Sequence, residues 1–161
     1  MRKINWDNVQ EAQGFVNPEP GGYYAVITRV EDVEEKEYLR IEWDFANGPY
    51  KGFNQETFRR ANFWPTVLNR SYKESALGYF KGFKTALEQS NQNYMFQEDR
   101  LRDMVGKYIG VVLGEETYIN SKGGQSTRLY VAETRSIEAI KKGDFKVPEL
   151  RTAKPRQVSS P

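Results

Sequence analysis

The sequence has no cysteine and no histidine. The first absence excludes disulfides and thiolate metal sites, and it suits a reducing compartment. The second removes the commonest general base and the commonest metal ligand, so any catalysis would run on carboxylates, lysine or tyrosine. Long apolar runs are missing too. No stretch approaches the length of a membrane span, and the start, Met1 to Asp7, has no secretory apolar core. The expected setting is the cytoplasm. Hydrophobic residues make up only 38% of the 161 positions. That predicts one domain with a small core, solvated loops and at least one loose end.

What is present is unevenly placed charge. The net charge is only +2, but residues 51–84 carry Lys51, Arg59, Arg60, Arg70, Lys73, Lys81 and Lys84 against Glu56 and Glu74. Residues 31–37 carry Glu31, Asp32, Glu34, Glu35 and Glu37 against Lys36. A polyanion is therefore drawn to the middle of the chain.

Residues 1–21 read as an arm that ends in a turn, because Asn17-Pro18-Glu19-Pro20-Gly21-Gly22 continues neither helix nor ladder. Ile4, Trp6, Val9 and Phe15 are expected to pin it, with Trp6 facing a partner as the alternative. Tyr23–Val30 predicts a strand with Tyr24, Val26 and Val30 on one face. Tyr38–Phe45 predicts the clearest strand, with Leu39, Ile41, Trp43 and Phe45 buried against wet Tyr38, Arg40, Glu42 and Asp44. After the turn Asn47-Gly48-Pro49, a third strand is expected within Tyr50–Arg60, then a loop from Ala61 to Lys73. Helical spacing of Leu77, Phe80, Phe83 and Leu87 predicts a helix from about Ser75 to Ser90, its stripe widened by Ala76, Tyr79 and Ala86. Gly78 and Gly82 on it suggest close approach to another backbone. A short helix is expected at Glu98–Val105, with Leu101, Met104 and Val105 inward. A strand from Tyr108 then runs through Ile119 to the hairpin turn Asn120–Gly124. Gln125–Thr134 returns as the last strand, with Leu129 and Val131 alternating against Arg128 and Tyr130. Ser136–Lys142 reads as a helical turn closed by Gly143. Residues 149–161 read as a disordered basic tail.

The order is three strands, helices, then a two-stranded hairpin. It predicts an α+β, mainly β fold: an OB-like five-stranded barrel over residues 22–148 with a helical insertion between strands three and four. Several α+β sandwiches share that order.

The stretch Gly52–Pro65 combines Phe53, Phe58, Phe63 and Trp64 with Arg59 and Arg60. Rings that stack on bases beside cations that neutralise phosphates are what binding of unpaired nucleic acid requires. Core filling is the competing account of each ring, and Phe53 and Phe58 compete for one core position. Placed as strand three and its exit, the stretch makes Arg59, Arg60, Phe63, Trp64 and Phe58 candidate contacts. Tyr38 and Arg40 join them from the wet face of strand two, Tyr118 and Lys122 from the hairpin, and Arg128 and Tyr130 from strand five. Two other functions are open. A divalent-metal nuclease would use Glu31, Asp32, Glu42 and Asp44, but no phosphate-cradling glycine loop accompanies them. A protein-binding module would use the Trp6 arm or the basic tail.

A further set of motifs runs through most of residues 4–150. It includes Gly21-Gly22-Tyr23-Tyr24, Ile27-Thr28-Arg29-Val30-Glu31-Asp32 and Glu37-Tyr38-Leu39-Arg40-Ile41-Glu42-Trp43-Asp44. It continues with Ser71-Tyr72-Lys73, Phe80-Lys81-Gly82-Phe83, Gln89-Ser90-Asn91 and Gly106-Lys107, and closes with Gly110–Glu116 and Thr127–Val131. This series resembles small early-region proteins of phages and prophages of Gram-positive bacteria. Those proteins are left without assigned function or grouped loosely with phage single-stranded-DNA-binding proteins. The resemblance implies a non-catalytic accessory to phage DNA replication or recombination in the cytoplasm of the bacterial host. The expected partners are single-stranded DNA and phage replication or recombination proteins; an exposed strand edge would allow a homo-oligomer, and from the residues no cofactor, metal or membrane is expected. The basic tail departs from the acidic tail by which cellular single-strand binders recruit partners.

Overall fold

The computed structural model describes residues 1–8 and 17–153. Tyr38–Phe45 forms the expected strand, and Leu39, Ile41, Trp43 and Phe45 are all buried in the core. Each such side chain contributes about 1.5–3 kcal/mol on leaving water. In chain order the elements are β1 (Gly21–Val33), β2 (Tyr38–Phe45), α1 (Phe53–Ala61) and β3 (Val67–Ser71). They continue with α2 (Leu77–Ser90), β4 (Tyr108–Ile119), β5 (Gln125–Arg135), α3 (Ile137–Lys142) and β6 (Arg151–Thr152). The architecture is mixed α+β. One six-stranded sheet carries the order β3-β2-β1-β4-β5, antiparallel throughout, and β6 adds a short parallel pairing to β4. The hydrogen-bonded path is open, with β3 and β5 at its ends.

Several expectations are corrected. The third strand does not lie within Tyr50–Arg60, where α1 forms from Phe53 onward; it is Val67–Ser71, inside the segment expected to be loop. On β1 the buried residues are Ala25 and Ile27, not Tyr24 and Val26. A register shift between Ile27 and Arg29 then changes the alternation, so Val30 packs on the core. The wet face of β2 stops at Glu42, because Asp44 is buried. The helix expected at Glu98–Val105 is a 3-10 turn over Leu101–Met104, and Val105 faces solvent. On α2, Phe83, Ala86 and Leu87 are buried, whereas Leu77 and Tyr79 are exposed. Gly78 and Gly82 do not meet another backbone: a Cβ at either would have nothing within 4 Å.

The outer face of the sheet is covered by the chain's own C-terminal part. Gly22 pairs with Val112 and Tyr24 with Gly110, which places Gly22, Gly110 and Gly114 on one face. Phe145 lies over Gly22, Ile140 over Gly110 and Pro148 over Gly114. A Cβ on Gly110 would sit 2.4 Å from Ile140 Cγ1 and 2.8 Å from the Arg135 carbonyl oxygen. Only glycine admits the strap there. α3 ends at Gly143 as expected, at φ 72°, and Ser136 caps its start, Oγ accepting from the Ala139 N–H at 3.1 Å. Trp6 is exposed, and Val9 and Phe15, expected to help pin the arm, lie outside the described residues. Within the segment read as a tail, β6 forms at Arg151–Thr152, and residues 154–161 lie outside the described part.

Candidate nucleic-acid interface

The stretch Gly52–Pro65 is a helix and its exit loop because β2 supplies the missing helix cap. Gly52 at the N-cap has no side chain to offer and adopts φ 75°. Asp44 substitutes from ten residues away. Its Oδ1 accepts from the N–H groups of Phe45 at 2.8 Å and Asn54 at 2.9 Å, and its Oδ2 from that of Gln55 at 3.0 Å. A carboxylate at that end also opposes the positive end of the helix dipole. The buried Asn54 donates Nδ2–H to the Trp43 carbonyl at 2.9 Å, and Trp64 donates Nε1–H to the same oxygen at 3.0 Å. Asn54 and Thr57 are therefore the inward residues of α1, beside half-buried Phe53.

The outward face carries Phe58, Arg59 and Arg60. Phe58 is 43% exposed and its ring centroid lies 6.1 Å from that of Trp64. Both arginines converge on Glu56: Arg59 Nε to Oε2 is 3.0 Å and Arg60 Nε to Oε1 is 2.8 Å. Hydrogen bonds from Arg59 and then Arg60 pull the Glu56 carboxyl down to about 2. The arginine pair is thus prepositioned, but its charge is partly matched within the helix.

After α1, Asn62 turns the chain at φ 58° and Phe63 stands 55% exposed. Phe63 lines a groove of about 500 Å³ together with Phe53 and Thr57 on one side and Tyr118, Thr127 and Arg128 on the other. The α1–β3 loop and the β4–β5 hairpin therefore face each other across it. Arg128 lies with its guanidinium carbon 4.6 Å from the Tyr118 ring centroid. It also donates Nε–H to Glu116 Oε1 at 2.8 Å, and Arg151 donates Nε–H to Glu116 Oε2 at 3.0 Å. Burial raises the Glu116 carboxyl, but the bonds from Arg128 and Arg151 outweigh it and hold the group below its ordinary value. Arg151 in turn lies 3.6 Å from the Tyr130 ring centroid.

Of the candidate contacts, the groove unites Phe63, Tyr118 and Arg128. Phe58 and Trp64 pair beside it on α1 and its exit loop, and Trp64 is half spent on holding the Trp43 carbonyl. Tyr130 lies on the outer face under Arg151. Lys122 is exposed in the hairpin. Tyr38 lines a separate shallow depression with Lys36, Asn69, Ser71 and Lys73. Arg40 is bound to Glu42 at 2.6 Å. The carboxylates considered for a metal have other work: Asp44 caps α1, Glu42 pairs with Arg40, and Asp32 Oδ1 accepts from the Tyr72 hydroxyl at 2.8 Å. Among the described residues no cluster of three or more carboxylates assembles.

Sequence reasoning missed Glu116 and Arg151. Counting back from the Asn120–Gly124 turn pairs Glu116 with Arg128 and would have found the first. Nothing in the pattern signals Arg151, whose position depends on the strap. No protein-family model and no curated protein matches the chain.

Proposed function

We propose that this chain binds single-stranded DNA without catalysis, in the groove between the α1–β3 loop and the β4–β5 hairpin. The observation that carries the reading is the meeting of Phe63 with Tyr118 and Arg128, segments far apart in sequence, across one groove. Bases stack on Phe63 and on the free face of Tyr118, each stack contributing about 1–3 kcal/mol. Phosphates engage Arg128 and, along α1, Arg59 and Arg60. These arginines exchange Glu116 or Glu56 for phosphate, so the reading predicts moderate affinity with steep salt dependence. The strand order and the placement of α2 between β3 and β4 support an OB-like barrel as the underlying fold. The resemblance to phage early-region proteins supports a role beside replication or recombination enzymes in a bacterial cytoplasm.

The double variant Phe63→Ala, Arg128→Gln tests the site. It lowers affinity for a labelled oligothymidylate at least tenfold with an unchanged melting temperature. Unchanged affinity would place the strand elsewhere. A second reading, a protein-docking role, is favoured by Tyr79, which is 76% exposed on α2 and outside the groove.

A further inference from the structure

The seam between α2 and the free edge of β5 holds a groove of about 800 Å³, and Arg70 of β3 lines it. Among the groove's lining residues, Arg70 stands out. Its Nε is buried and has no acceptor among the described residues. Its guanidinium lies 5.5 Å from the Phe83 ring centroid, and no carboxylate among the described residues pairs with it. A half-buried cation with no counter-charge among the described residues is disfavoured, and burial accordingly lowers its pKa. An anion docking against it would supply the missing acceptor.

The rest of the groove describes the anion's carrier. β5 ends the hydrogen-bonded path, so among the described residues its edge away from β4 has no strand partner, and Ala132–Arg135 of that strand line the groove. Unpaired backbone groups at a sheet edge accept an added strand. Opposite them, Gly78 and Gly82 present bare helix surface with nothing within 4 Å, which leaves room for a second backbone. Lys81, Arg135, Glu133 and Asp144 also line the groove, and Glu133 is held by Arg135 at 3.0 Å. With Arg70 the lining carries three cations against two acids, an excess of one positive charge that a single carboxylate matches and a polyphosphate exceeds.

We propose that this groove is a docking site for an extended peptide of a partner protein, which adds to the β5 edge and places one Asp or Glu carboxylate on Arg70. The site shares no lining residue with the proposed DNA groove, so either assignment can fail while the other stands.

The probe is a pool of blocked pentapeptides with glutamate at the centre and Val, Thr, Ile or Ser at the flanks, beside the same pool with central glutamine. Titration into isotopically labelled full-length protein is followed by amide and arginine Nε–H resonances. The expected result is that the glutamate pool shifts the amides of Ala132–Arg135 and the Arg70 Nε–H, and binds about tenfold tighter than the glutamine pool. Arg70→Met, which keeps the stem over Phe83, abolishes that preference. Absence of shifts at these groups, or equal binding of the two pools, overturns the proposal. So does a short oligothymidylate that shifts the Arg70 Nε–H where the glutamate pool does not. The wild-type comparison decides the matter even if the variant fails to fold.

Discussion

The Asp44 carboxylate accepts the Asn54 N–H at 2.9 Å, and this link between β2 and α1 decides what the stretch Gly52–Pro65 becomes. Without that cap the start of α1 has only a glycine, and its N–H groups are orphaned in a buried place. Asp44→Ala is therefore expected to cost about 2–4 kcal/mol, because several N–H groups lose their acceptor at once. Urea unfolding measures it, and Asp44→Asn should recover part of the loss. The oligonucleotide affinity of Asp44→Ala should fall as well, since Phe63 follows directly from α1.

Glu56 governs how much of the arginine charge is available. Its carboxyl should titrate at about 2 by carbon NMR and return toward 4.5 in the Arg59→Ala, Arg60→Ala variant. The folded value is lowered, so the pairing stabilises the protein above the unfolded value of 4.5 and its contribution is lost as pH falls through about 2. Glu56→Gln removes the carboxylate that both arginines share and should tighten binding of single-stranded DNA at low salt. A weaker complex would mean that the pair does not touch phosphate.

The glycines make opposite predictions. Gly110→Ala drives a methyl group into Ile140 and the Arg135 carbonyl and should destabilise by about 1–3 kcal/mol, with loosening of the C-terminal strap seen by hydrogen exchange. Gly82→Ala on α2 meets nothing within 4 Å and should stabilise by about 0.5–1 kcal/mol. Thermal melts of the two variants should move in opposite directions.

Tyr72 donates its hydroxyl to Asp32, and that bond, reinforced by the negative charge of Asp32, Glu34 and Glu37, pushes its pKa up to about 12. The neutral phenol is favoured in the fold. Its contribution is full below the ordinary value of 10.0 and is lost as pH rises through about 12. Tyrosinate absorbance should show this late step, and Asp32→Asn should move it toward 10.0.

The legible parts of the chain were those where apolar residues carry the period. β2 is the clearest case, with Leu39, Ile41, Trp43 and Phe45 all buried, and the β4–β5 hairpin and α3 follow from equally local signals. α1 was unreadable because its inward positions, Asn54 and Thr57, are polar and its cap comes from another strand. Its outward Phe58 imitated a strand residue. β1 misled through a register shift, which no alternation rule anticipates. Among the candidate contacts, Phe63, Tyr118 and Arg128 were legible as rings and cations. Their convergence depends on the α1–β3 loop facing the hairpin, a relation set by tertiary structure.

The central claim is tested most directly by titrating the protein into a labelled single-stranded oligonucleotide and its duplex, each at low and at high salt. The account predicts binding of the single strand at low salt, clear preference over duplex, and steep weakening as salt rises. Equal affinity for duplex would contradict base stacking in the Phe63–Tyr118 groove, and no binding of either at low salt would contradict the function itself.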